Sequence, residues 1–121
     1  MSTKQGKFPS FLHLSGKDKT EATLYRGNLY GAIKVDKEDK FPKHLWKEFG
    51  EMGILGVTTP AEYGGSELNY TAHTMIMEEL SRASGSIALS YGAHTALCLA
   101  QITRHGSQEQ KVKYLPKLCS G

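Results

Sequence analysis

From Ala83 to Thr103 the chain carries no Lys, Arg, Asp or Glu, and this uncharged stretch constrains the fold more than any other feature. A membrane span needs ~20 predominantly apolar residues. Here Ser84, Gly85, Ser86, Ser90, Gly92, His94, Thr95 and Gln101 dilute the run, so a helix buried in a soluble protein explains it better. Ile87, Leu89, Ala93, Ala96, Leu97, Leu99, Ala100 and Ile102 fall on nearly every side of a helix predicted over Ile87 to Arg104. A helix that is apolar all round belongs at the centre, wrapped by others. Gly92, Ala96 and Ala100 form a small-residue row that lets one neighbour come close.

The wrapping has to come from the same short chain, since 121 residues make one domain at most. Pro42 is placed as a first helical residue, and Leu45, Phe49 and Met52 follow at i, i+4, i+7 with Trp46 beside them. That helix is expected to end near Gly53, where Ile54-Leu55-Gly56-Val57 forms a short apolar link to Thr58-Thr59-Pro60. Tyr63-Gly64-Gly65-Ser66 reads as a turn with two residues free to take positive φ. Asn69 is the expected N-cap of the next helix, whose apolar stripe is Ala72, Met75, Ile76, Leu80 and Ala83, with Glu78 and Arg82 paired beside it. Ser84-Gly85-Ser86 breaks that helix before the central one begins. Gly106 takes the C′ position, and Ser107-Gln108-Glu109-Gln110 has the pattern of a capping box. A short helix through Tyr114 follows, with Pro116 starting one further turn. No segment alternates strongly enough for a strand. The expected class is therefore all-α, with about four helices.

Residues 1–34 show no sustained period. Gly6, Pro9, Gly16, Gly27 and Gly31 interrupt every apolar run, so this part is expected to be loop or a poorly ordered arm, and residues 35–121 the helical domain. The far end, Leu115 to Gly121, closes on an apolar turn with nothing after it to pack upon, which is expected of a fragment cut from a longer chain.

The net charge of +3 comes wholly from residues 1–40, where eight Lys and Arg face five Asp and Glu. Residues 41–121 carry seven of each sign. A neutral folded part has no basic stripe to neutralise phosphates, so nucleic acid is excluded as a partner. Cys98 and Cys119 suggest no disulfide framework, and a reducing compartment fits best. The first 17 residues hold Lys4, Lys7 and Lys17 without an acid, but lack the arginines and amphipathic face of a clear targeting peptide.

Three constellations invite a chemical reading. Ala88-Leu89-Ser90-Tyr91-Gly92 is one residue from the G-x-S-x-G nucleophile elbow, with His94, His105 and Glu109 as imaginable partners. The elbow needs a strand-to-helix turn, and the flanks here are helical; a serine bonding back to a helix carbonyl is the alternative. His94 and Cys98 share a helical face as metal ligands can, but a site needs three or four ligands, and no second pair stands at usable spacing. A packed histidine and a buried thiol explain them better, and no metal is expected. Glu78-Glu79 reads either as a general-base pair or as surface carboxylates, one solvated and one paired. No phosphate loop or dinucleotide fingerprint is present. The residues alone lead to a neutral helical domain and not to a reaction.

Taken as an ordered series, several segments resemble the N-terminal helical domain of the acyl-CoA dehydrogenase family. They are Gly53-Ile54-Leu55-Gly56-Val57, Pro60-Ala61-Glu62-Tyr63-Gly64-Gly65-Ser66, Met77 through Gly85, Leu89-Ser90-Tyr91-Gly92-Ala93-His94, Gln110-Lys111 and Lys113 through Leu118. The Leu-Ser-Tyr-Gly-Ala-His run points to the isovaleryl branch. Residues 1–34 do not resemble the long amphipathic helix with which the family opens, and Glu67 stands where that branch usually has glycine.

The resemblance implies an FAD-dependent α,β-dehydrogenation of a short branched acyl-CoA, in mitochondrial leucine breakdown. A glutamate takes the α-proton while a hydride leaves the β-carbon for FAD. It further implies electron transfer flavoprotein as partner, a homotetramer for the full enzyme and the mitochondrial matrix as location. The flavin-contacting β-domain would begin just after Gly121 and the catalytic glutamate lies further on, so this chain alone is expected to be inactive. By resemblance Leu89 and Ala93 line a wall of the acyl pocket; plain core packing is the competing reading of the same two residues. No catalytic, cofactor-binding or metal residue is assigned. A non-catalytic helical interaction module built on the same fold is the alternative function.

Overall fold

The computed structural model describes residues 32–121, and its backbone is helical with no strand among them. In chain order the helices are α1 (32–38), α2 (His44–Glu51), α3 (Tyr70–Ala83), α4 and α5 (Gln108–Ser120). The helix α4 runs unbroken through three stretches, Gly85–Gly92, Ala93–Leu99 and Ala100–His105. The all-α expectation holds. The arm expected over residues 1–34 lies outside the described residues except at 32–34, which are helical. There Lys34 pairs with Glu38 one turn on, and Val35 packs on the core.

The caps expected at Asn69 and Ser107 form, and Ser84, expected only to break the chain between two helices, caps α4 as well. Asn69 accepts the Ala72 N–H at 3.0 Å, and Ser84, in extended backbone, accepts that of Ile87. Ser107 and Gln110 make both bonds of the capping box, at 3.3 and 2.8 Å. Four boundaries differ from expectation, one being the start of α4 at Gly85, two residues before Ile87. The first turn of α2 begins at His44, two residues after Pro42, whose carbonyl accepts the Leu45 N–H. Gly106 is extended (φ −68°, ψ 147°), not left-handed; a side chain there would meet the Ile102 carbonyl 2.5 Å away. Pro116 lies inside α5 and does not begin a new turn. Its ring leaves the Val112 carbonyl without an N–H, but Val112 and Pro116 both face solvent, while Leu115 and Cys119 hold the helix down on its other side.

Two apolar clusters share α4. Its first half enters the larger one, where Ile87, Ala88 and Tyr91 meet Leu45 and Phe49 of α2, Ala72, Ile76 and Leu80 of α3, and Ile54, Leu55 and Val57. Its second half gives Leu99 to the smaller one, with Tyr63, Leu115 and Cys119. Met75, expected in the α3 stripe, is half exposed, and His73 is buried with Ala72, Ile76 and Leu80 instead. Among the described residues no helix is long and apolar enough to cross a membrane.

The connection from Gly53 to Asn69 is a compact folded loop. The Ser66, Leu68 and Glu67 N–H groups bond the carbonyls of Gly56, Val57 and Thr59, closing it around a 3₁₀ turn, Ala61–Tyr63. Of the two glycines expected to take positive φ, only Gly64 does so (84°); Gly53 (74°) and the non-glycine Glu67 (52°) are the other left-handed residues of the connection. A side chain in that region costs about 1–2 kcal/mol, against one long bond from the Ala61 N–H to the Glu67 carboxylate at 3.4 Å. Glu67→Gly should therefore raise stability by about 1 kcal/mol and the thermal midpoint by a few degrees. Calorimetry of the two proteins checks this; an unchanged or lower midpoint would show that the Glu67 carboxylate matters more than the backbone strain.

Candidate functional site

The helix α4 is not wrapped on every side. Leu89 is 72% exposed and Leu97 is 70% exposed, and Ala93 between them is also open. The three stand at i, i+4 and i+8 and form one apolar row, opposite the buried Tyr91, Thr95 and Leu99. The all-round apolarity thus has two uses: one face makes the core, the other is bare. The structure therefore places Leu89 and Ala93 together on an open face, and adds Leu97, which sequence reasoning had assigned to the wrapped helix. The four-residue spacing from Ala93 was the signal that could have found it.

The buried face is held by hydroxyls. Tyr91 Oη donates to the Ile54 carbonyl at 3.1 Å, and Thr95 Oγ1 to the Leu55 carbonyl at 3.2 Å. These bonds satisfy two carbonyls of a connection that is buried despite being a loop. His73 lies between aromatic rings, stacked on Tyr91 at 5.6 Å and edge-on to Tyr70 at 5.8 Å, with Nδ1 3.5 Å from Tyr91 Oη. Burial pushes the His73 pKa down and that of the Tyr91 phenol far up. The Cys119 thiol is also shifted up, chiefly by burial. None of these groups is poised for proton transfer at neutral pH.

The other candidate residues are occupied in structural roles. Ser90 Oγ donates to the Ser86 carbonyl at 3.1 Å, the back-bonded alternative to a nucleophile. His105 lies about 22 Å further along the helix at 1.5 Å per residue, beyond reach of Ser90. His94 packs on Trp46 at 4.9 Å, and its Nε2 is 2.9 Å from the Leu118 carbonyl, which turns that nitrogen away from any ligand role. Cys98 is half-buried beside it. Both Glu78 and Glu79 bond Arg82, at 2.7 and 3.1 Å, so the carboxylate expected to be solvated is also paired.

Three of the described helices are closed to the pyrophosphate of a flavin at their starts. A helix N-terminus can cradle phosphate through free N–H groups, but Asn69, Ser84 and Ser107 already occupy the starts of α3, α4 and α5. Gly65 is no cradle either, since a Cβ there would lie 2.0 Å from the Thr59 carbonyl.

Comparison with known proteins gives concordant matches. The family model described as acyl-CoA dehydrogenase, N-terminal domain, matches residues 26–121. Mitochondrial isovaleryl-CoA dehydrogenase of Solanum tuberosum is 56% identical over 92 residues, covering 74% of this chain and 22% of the relative. The enzyme of that name from Pongo abelii is 51% identical over the same span and shares. A chain from the solved structure of the electron transferring flavoprotein of Acidaminococcus fermentans superposes with TM-score 0.68 at 26% identity, covering 89% of this chain and 30% of that one. The chain thus spans about a fifth of the length of these curated relatives.

Two outcomes follow from the geometry. The folded state disfavours protonated His73, whereas the unfolded chain takes up that proton near the ordinary value of 6.5. Stability should be full above that pH and decline as pH falls below it. Denaturant titrations between about pH 5 and 8 should show this slope reduced in His73→Gln; an equal slope in both would remove His73 as its source. The bare row should also bind an apolar dye. Replacing Leu89 and Leu97 together by Gln should lower that fluorescence without lowering helix content by circular dichroism.

Proposed function

The chain belongs to the acyl-CoA dehydrogenase family, whose N-terminal domain it matches over residues 26–121, and on that footing we propose that it supplies one wall of the acyl pocket in an FAD-dependent enzyme of the isovaleryl-CoA type. The observation that carries this reading is the bare apolar row of α4. An acyl chain is apolar and calls for a surface that excludes water and offers no charge. Leu89 and Ala93 supply that surface, and Leu97 extends it. Neither leucine nor alanine can move a proton, so these residues shape and dry the pocket, and the chemical step belongs to groups elsewhere in the enzyme.

The reaction proposed for the whole enzyme is α,β-dehydrogenation of a short branched acyl-CoA, a step of leucine breakdown, carried out by a homotetramer in the mitochondrial matrix. The names of the isovaleryl-CoA dehydrogenases support the substrate class and the compartment. The likeness to a chain in an electron transferring flavoprotein structure is in keeping with electron transfer flavoprotein as the partner. FAD is proposed to sit on other parts of the enzyme, in keeping with the side-chain caps that already fill the starts of α3, α4 and α5. The 121-residue polypeptide is accordingly proposed to be inactive alone.

The test is a chimera in which the matching stretch of this chain replaces that of the Solanum tuberosum enzyme. A few methylenes in an apolar pocket are worth about 1–3 kcal/mol, or roughly 10–200-fold in relative kcat/KM. Ala93→Leu should depress turnover of branched acyl-CoA more than that of the shortest linear substrates. Leu89→Ala should relax the limit on chain length. Equal loss on every substrate, in folded and flavin-loaded variants, would make both residues core and leave the interaction-module alternative standing.

A further inference from the structure

The helix α4 changes pitch beneath the exposed row. Ala93–Leu99 is a π-helical stretch, and the Ala100 N–H that closes it bonds the Thr95 carbonyl five residues back. In an unbroken α-helix each four-residue step turns a side chain by about 40° around the axis. Leu97 would then stand about 80° away from Leu89, and Leu99 would turn out of the core that holds Tyr91. Wider π turns rotate the chain less per residue and cancel that drift. The burial follows the cancelled pattern: Tyr91, Thr95 and Leu99 are 0%, 1% and 0% exposed, while Leu89, Ala93 and Leu97 are all open. A π stretch is rare, and it persists only where something holds it. The holding bonds here come from Tyr91 at its entrance and Thr95 within it, to the Ile54 and Leu55 carbonyls.

We infer that Thr95 and Tyr91 are positioning residues for acyl selectivity. Their hydroxyls fix the buried side of the π stretch, and through it they hold Leu97 in line with Leu89 and Ala93. Neither side chain reaches the open face; each acts through the rotation of the helix. This rests on the reading of that face as the acyl wall.

The same chimera tests it with Thr95→Val, which keeps the shape and removes the donor, with Thr95→Ser as the conservative partner, and with Tyr91→Phe. The quantity read is the ratio of kcat/KM for a branched five-carbon acyl-CoA to that for linear thioesters, with flavin content and thermal midpoint recorded for each variant. Thr95→Val and Tyr91→Phe should each shift the ratio by about 3- to 10-fold, less than the roughly 10- to 200-fold open to a direct wall residue. Thr95→Ser should return it to the parent value, which a general loss of stability would not do. If Leu89→Ala changes the ratio and neither hydroxyl deletion does, the positioning role is overturned and the wall reading stands. If Leu89→Ala also leaves the ratio unchanged, the wall reading falls and this inference with it. Should Thr95→Val fail to fold, Tyr91→Phe decides alone, because it removes one oxygen and leaves the ring in place.

Discussion

Two hydroxyl-to-carbonyl bonds hold this domain together at its centre. The segment from Ile54 to Val57 is buried although it is a loop, and a buried loop must find donors for its carbonyls or lose about 1–3 kcal/mol for each one left unpaired. Tyr91 and Thr95 provide those donors from the middle of the most apolar helix. The bonds also fix how that helix is rotated. Its apolar faces could otherwise be turned toward the core in several ways, since leucine and alanine lie all around it. Two polar anchors on one side select a single rotation.

That rotation divides an all-round apolar helix into a packed face and a bare one. The packed face joins the two clusters, with Tyr91 edge-on to Phe49 in one and Leu99 against Tyr63, Leu115 and Cys119 in the other. Gly92 lies at the contact with α3, where an added Cβ would touch Met77 at 3.0 Å. The bare face carries Leu89, Ala93 and Leu97. Exposing two leucines together is costly for a domain in water, and it is understandable in a domain whose relatives are several times longer.

The polar groups that looked chemical prove to be fasteners. Ser90 bonds back into its own helix, His94 joins α4 to the last turn of α5, and Glu78 and Glu79 share Arg82. His73 is held neutral between two tyrosines by the same burial that makes it a liability in acid. None of these groups lies in the open row of Leu89, Ala93 and Leu97.

The sequence by itself determined the helical class, the caps and most boundaries, because these depend on side chains within a few residues of one another. Asn69 and Ser107 could be read as helix starts for that reason, and the ordered motifs were enough to indicate the family. Leu89 and Ala93 could be placed on one helical face. Whether that face was covered could not be read, since burial depends on where distant segments lie. The tertiary structure alone decided that His73 replaces Met75 in the core, that Pro116 is carried inside α5, and that Glu67 takes a left-handed turn. It alone decided the π stretch and the alignment of Leu97, because these follow from bonds between Tyr91, Thr95 and carbonyls about forty residues earlier. No local pattern encodes a partner so far away; only the packed chain brings the donor to its acceptor.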